Sequence, residues 1–246
     1  VEDERMMRLD KYLCDAKVGT RSQVKGILKK GNVLVNGEVI KKPEWKVEEG
    51  TDCVVCEGKK LTYQKYVYWM LYKPAGVVSA TEDKREQTVI ELLPQEERKK
   101  GIFPVGRLDK DTEGLLLLTN DGELGHRLLS PKKHVDKKYY AKVQGVVTQA
   151  HVEQFLEGLD IGEKKLTLPA KLEVIVSKEI SEVWVTLQEG KFHQVKRMFE
   201  AVGCKVLYLK RVAMGALVLD AKLKAGECRE LTLAEQKLLF IREEQR

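Results

Sequence analysis

Three carboxylates alternate within one short stretch of the 246-residue chain: Asp109, Asp111 and Glu113, in Gly106-Arg107-Leu108-Asp109-Lys110-Asp111-Thr112-Glu113-Gly114. Leu115 to Leu118 follow, then Thr119-Asn120-Asp121-Gly122. A carboxylate set against an apolar run can serve as a nucleophile or a base. Two of them can share the cleavage of a glycosidic bond, with their separation deciding the outcome. Asp109 with Asp111 or Glu113 could form such a pair. The alternation is also faintly that of a calcium loop, but its closing acid would fall at Asn120 and the leucines bring no oxygen ligands. No metal is expected. Capping a turn is the ordinary use of an acid in a tight loop, and it stays open for each of the three. A second group of polar side chains lies at Gly190-Lys191-Phe192-His193-Gln194-Val195-Lys196-Arg197. His126, His134, His151 and His193 form no triad with a serine or cysteine. His193 reads as a structural hydrogen-bonding residue.

Hydrophobic periodicity indicates the elements that must position these groups. From Val67 onward strands predominate. Tyr68 to Tyr72 is a buried strand ending in the turn Lys73-Pro74-Ala75-Gly76. Further strands are predicted over 115–119, 138–144, 170–176, 182–188, 205–212 and 216–220, and helices over 122–129, 150–157, 192–202 and 232–240. Thr232 and Glu235 make a capping box for the last helix. Many strands joined by short turns imply an α+β fold, with a mixed, mainly antiparallel sheet flanked by helices. In the strand through residue 139, Tyr139, Ala141 and Val143 share a face and Tyr140 points the other way. In the 192–202 helix, Val195, Met198, Phe199 and Val202 form the apolar stripe and Lys196 lies off it. Arg107 shares the side of Asp109 if the backbone between them is extended.

The first 60 residues read as a separate module. Leu9, Tyr12, Leu13 and Ala16 have the spacing of a short amphipathic helix. Thr20 and Gln23 form a capping box at the start of a second helix, with Val24, Ile27 and Leu28 as its buried stripe and Gly31 as its terminator. Arg21, Lys25 and Lys29 recur every four residues on the opposite face, and Arg8 and Lys11 extend that stripe from the first helix. Asn36-Gly37, between Val33-Leu34-Val35 and Val39-Ile40, signals a hairpin. Segment 57 to 66 loses the apolar pattern and reads as a linker.

Charge supports a polyanionic partner. Residues 5 to 42 hold ten Lys or Arg and three Asp or Glu, a local balance of +7 where the whole chain carries +6. One cationic face on a rigid helix pair can grip phosphates without reading bases. At 43% hydrophobic and 33% charged, the chain can build a packed core under a highly charged surface. No apolar run approaches a membrane span or a secretory signal, so a cytoplasmic protein is expected. Its native start is expected at Met6 or Met7. Five cysteines at irregular spacing read as free thiols. Cys53 and Cys56 would lie on opposite faces of a strand, and no second ligand pair accompanies them. No heptad is visible, and a monomer is expected.

Arg8-Leu9-Asp10-Lys11-Tyr12-Leu13 through Val35-Asn36-Gly37 resembles the S4 RNA-binding domain. Four further segments resemble, in order, the motifs of the pseudouridine synthases, specifically the ribosomal-RNA branch that carries an S4 domain. They are Tyr72-Lys73-Pro74-Ala75-Gly76, Gly106-Arg107-Leu108-Asp109 through Leu118, Lys137-Lys138-Tyr139, and Gly190-Lys191-Phe192-His193-Gln194-Val195-Lys196-Arg197-Met198-Phe199. Phe192 stands where the family often has Tyr. The resemblance implies an S4-like domain over 1–60, a linker over 61–66 and a catalytic domain over 67–246. It implies an isomerase that needs no cofactor. Asp109 would be the catalytic residue, Tyr139 the active-site tyrosine stacking on a flipped uracil, and Lys196 the basic partner of Asp109. Arg107 is a second candidate partner. Lys73, Lys191 and Arg197 are assigned as phosphate contacts, beside Arg8, Lys11, Arg21, Lys25 and Lys29. The Leu115–Leu118 strand is expected to form a dry floor. The implied partner is ribosomal RNA or a subunit assembly intermediate. Leu166 to Val174 and the short C-terminus look most like the 16S subgroup, of the uridine 516 type, with the 23S subgroup as the alternative. A non-catalytic RNA-binding protein and a glycoside-cleaving hydrolase are the competing classes.

Overall fold

A computed structural model describes residues 6–16, 18–48, 51–61, 66–98, 100–130 and 135–240. The chain divides into two compact units, Val1–Tyr66 and Val67–Arg246.

The first unit contains β1 (Met6–Arg8), α1 (Leu9–Asp15), α2 (Arg21–Lys29), β2 (Val33–Val35), β3 (Glu38–Val39), β4 (Lys46–Glu48), β5 (Val54–Cys56) and β6 (Lys59–Leu61). Strands β3-β2-β5-β6 form one antiparallel sheet, and β1 pairs with β4. Leu9, Tyr12 and Leu13 of α1 and Val24 and Leu28 of α2 are buried on Val33, Val35, Val47 and Val54. The Thr20–Gln23 capping box forms. Asn36 and Gly37 both have positive φ, as a two-residue hairpin of this kind requires. The expectation of a linker from residue 57 needs correction: Glu57 and Gly58 turn the chain and β6 pairs back on β5. Lys59-Lys60-Leu61 is an exposed edge strand, so it carries no apolar pattern to reveal it. Residues 62–65 of that segment lie outside the described residues.

The second unit contains β7 (Tyr68–Lys73), β8 (Phe103–Pro104), β9 (Glu113–Thr119), α3 (Gly122–Leu129), β10 (Lys137–Gln144), α4 (Gln149–Glu157), β11 (Lys171–Val176), β12 (Ile180–Leu187), α5 (Gln194–Ala201), β13 (Lys205–Met214), β14 (Leu217–Val218), β15 (Cys228–Glu230) and α6 (Leu233–Leu238). Its sheet runs β11-β12-β10-β13-β9-β7-β15, with β8 against β9 and β14 against β13. The β9–β13 pair is parallel and the other pairs are antiparallel, so the sheet is mixed. The leucine run explains the central place of β9: Leu115 to Leu118 are all buried, which only a strand covered on both faces allows. By contrast β10 alternates, with Tyr139, Ala141 and Val143 in the core and Tyr140 on the open face, bonded to Glu182. α4 packs on β11 and α5 on β13, and their Phe155 and Phe199 rings meet at 5.0 Å.

Several boundaries differ from expectation, two of them by more than fraying at an end. β14 is shorter than 216–220, and α5 starts at Gln194 rather than 192 because His193 takes a left-handed conformation, φ 49° and ψ 33°. β8 and β15 escaped the sequence pattern because they are too short to display a period. No helix among the described residues is long and apolar enough to cross a membrane.

Candidate active site

The loop between β8 and β9 presents Asp109, and its backbone is tied from two directions. Ser79 Oγ donates to Leu108 O (2.8 Å) and accepts from Leu108 N (3.0 Å). Lys73, at the end of β7, is fully buried, and its Nζ donates to the carbonyls of Thr112 (2.9 Å), Pro74 (3.0 Å) and Lys110 (3.2 Å). Gly76 N also donates to Lys110 O. Burial pushes the Lys73 ammonium down to about 8 against the opposing pull of Asp111, Asp109 and Glu113. Lys73 is therefore not the phosphate contact expected of it: its charge is enclosed beneath the loop. Where β9 begins, Gly114 lies so close to β13 that a Cβ would sit 2.1 Å from Arg211 O.

The opposite wall comes from α5 and the turn before it. Lys196 Nζ lies 3.2 Å from Asp109 Oδ2 and 2.6 Å from Asp111 Oδ1. Partial burial works to lower the Lys196 pKa, yet the bond to Asp111 and the charge of Asp109 outweigh it and hold the ammonium above its usual range. The same bond, opposed by burial, keeps Asp111 below the usual carboxylate range. His193 Nε2 stands 3.5 Å from Asp109 Oδ1.

Asp109 opens into a cleft that is open to solvent and lined on its apolar side by Leu108, Leu187, Val195 and Leu209. These four, drawn from separate elements, form the dry wall in place of the expected Leu115–Leu118 run, which is absent from the lining. Tyr139 enters the same cleft from β10, and its side-chain hydroxyl has no hydrogen-bond partner among the described residues. Arg107 is exposed at its edge, also without an ion-pair partner there. Among the described residues no three His, Cys, Asp or Glu side chains are grouped to hold a metal ion.

The other expected cations divide in two. Lys191 Nζ donates to the carbonyls of Lys165 and Leu166, and Arg197 holds Glu163 and the carbonyls of Phe192 and Ile161. Both brace the 158–169 segment instead of standing free for phosphate. In the first unit, Lys11, Arg21, Lys25 and Lys29 are exposed as expected. Arg8 is not a helix-face residue: it precedes α1 in β1 and forms a two-pronged bond to Asp10. Sequence reasoning missed Asp111 as a partner of Lys196 and set His193 aside as structural. His134 lies outside the described residues.

The sequence profile of the family described as RNA pseudouridylate synthase matches residues 67–201, the span that supplies Lys73, Asp109, Tyr139 and Lys196. The chain belongs to this family. The S4 domain profile matches residues 7–53. An uncharacterized RNA pseudouridine synthase of Bacillus subtilis, YtzG, is 47% identical over 95% of this chain and 98% of its own length. The ribosomal small subunit pseudouridine synthase A of Vibrio cholerae is 45% identical over 93% of this chain and 97% of its own. The ribosomal large subunit pseudouridine synthase B of B. subtilis is 40% identical over 95% and 96%. A crystal structure of a pseudouridylate synthase, 37% identical, covers 95% of this chain and 99% of its own with a TM-score of 0.67. The synthase profile thus falls in the second unit and the S4 profile in the first.

Proposed function

We propose that this pseudouridine synthase isomerises one uridine of 16S ribosomal RNA, of the uridine 516 type, and that Asp109 is its catalytic carboxylate. The observation that carries the reading is one carboxylate, tethered to a lysine, in a cleft that has one apolar wall and an aromatic ring beside it. The reaction breaks the N1–C1′ bond, turns the uracil and joins C5 to C1′. C5 gives up a proton, N1 gains one, and the overall composition is unchanged, so no oxidant or net water is consumed. Asp109 acts in bond cleavage, and Lys196 neutralises and orients it. Tyr139 offers a flat surface to a uracil taken out of its stack. The apolar wall keeps water from the detached base. Arg107, without an ion-pair partner among the described residues, meets the RNA backbone at the edge. Lys11, Arg21, Lys25 and Lys29 give the S4 unit its grip on phosphates.

A hydrolase needs a second carboxyl group able to donate a proton. Asp111 is held as an anion by Lys196, and Glu113 accepts from the hydroxyls of Tyr72 and Tyr208. The small-subunit substrate is favoured by the Vibrio relative, and the B. subtilis large-subunit relative makes 23S RNA the alternative. The test is release of tritium from C5-labelled uridine in 16S and 23S transcripts, and in partly assembled particles, by wild type and Asp109→Ala. Release by the wild type alone is the expected result. The responding RNA names the substrate, and no release from any of them overturns the reading.

A further inference from the structure

Phe192 is 74% exposed, more than any other large apolar side chain described. It does not line the cleft itself but stands between Lys191 and His193, which do, and this position is not an accident of a loose loop. A helix continued back through residue 192 would have placed it on the stripe of Val195 and Phe199, at i, i+3 and i+7, and both of those are buried. The left-handed backbone of His193 prevents this and turns the ring into solvent. The turn is braced in that state. Lys191 N donates to Gln194 Oε1 (2.8 Å), Gln194 Nε2 to Glu189 (2.7 Å), and Arg197 Nη1 to Phe192 O (3.1 Å). One face of the Phe192 ring lies flat on His193, with centroids 3.8 Å apart and planes 19° apart. His193 in turn reaches Asp109. The other face of Phe192 is open.

We propose that this open face is a subsite for a nucleobase adjacent to the target uridine. Resting on the pseudouridine synthase reading, the inference adds a positioning residue to it. Flipping a uridine toward Asp109 leaves its neighbour without a stacking partner. A ring already stacked on one side has a single flat face left, and a base there would continue the His193–Phe192 pile at about the 3.4 Å rise of a nucleic-acid strand. Arg107, exposed on the cleft that this turn borders, suits a polyanionic strand rather than an apolar peptide. Stacking of this kind tolerates any base, so Phe192 would hold the strand open without choosing its sequence.

The test uses the full-length protein and a fragment of the responding RNA, with 2-aminopurine placed on either side of the modified uridine. Wild type and Phe192→Tyr are expected to quench the probe at one of the two positions, while Phe192→Leu and Phe192→Ala leave it bright. KM for the Leu and Ala variants should rise roughly five- to a hundredfold, with kcat at saturating RNA retained. Thermal unfolding should not change, since the ring is exposed. If the wild type isomerises the RNA and Phe192→Leu matches it in KM and fluorescence, the inference is overturned and the enzymatic reading stands. If the wild type isomerises no RNA, both fall.

Discussion

Lys196 stands nearer to Asp111, at 2.6 Å, than to Asp109, the proposed catalytic carboxylate, at 3.2 Å. One ammonium therefore serves two carboxylates, of which Asp111 is largely exposed. Asp111 raises the Lys196 pKa, so its removal should lower it. Asp111→Asn is expected to keep activity near neutral pH and lose it earlier on the alkaline side, where Lys196 discharges. A pH–rate profile measures this, and an alkaline limb that stays in place would show that Asp111 does not support Lys196.

Loss of the lysine itself should be graver. Lys196→Met is expected to slow single-turnover isomerisation by about 100-fold or more, the usual consequence of deleting one preorganised charge at a reacting centre. Asp109→Ala should abolish turnover. Both variants should bind RNA with the wild-type salt dependence, because neither belongs to the S4 unit. Filter binding at several salt concentrations separates the two effects.

Lys73 makes a prediction about stability. Its folded pKa, about 8, lies below the ordinary 10.5. Between those values the unfolded chain holds a proton that the folded chain has released, so this residue makes stability rise with pH across that window. Lys73→Met should remove that rise. It should also destabilise the protein by about 1–3 kcal/mol or more, since the carbonyls of Pro74, Lys110 and Thr112 lose their donor. Urea unfolding of both proteins between pH 7.5 and 10 tests the slope.

The S4 unit should behave as an electrostatic clamp. Reversing Lys25 and Lys29 to Glu is expected to weaken RNA binding and to lower the slope of log K against log salt by about one per lost phosphate contact. Catalysis at saturating RNA should survive. An unchanged slope would mean that these exposed lysines do not face the RNA.

Features set by local chemistry were legible in the sequence. The Thr20–Gln23 and Thr232–Glu235 boxes, the Asn36-Gly37 turn, the bounds of α3 and the buried leucine strand each depend on residues a few positions apart. The site was legible only where a motif carried it. Nothing local says that Lys73 is enclosed, because two of the three carbonyls around its Nζ arrive 37 and 39 residues later. Nor does the helical pattern around Val195 and Phe199 betray His193: its left-handed backbone interrupts a periodicity that continues through Phe192. Lys191 and Arg197 read as free cations because their acceptors, at Ile161, Glu163, Lys165 and Leu166, lie in a segment with no periodic signal.

The paired carboxylates of this loop and the cation they share come from distant parts of one polypeptide, with Lys196 following Asp111 by 85 residues. At a synthesis rate of about 5–20 residues per second, that interval is roughly 4–17 seconds. Throughout it the growing chain has its acid but not the α5 wall that completes the cleft. An enzyme directed at ribosomal RNA is thus kept unarmed while it is still threaded through a ribosome. Its activity begins only after the last third of the chain has folded back on the first strands of its sheet.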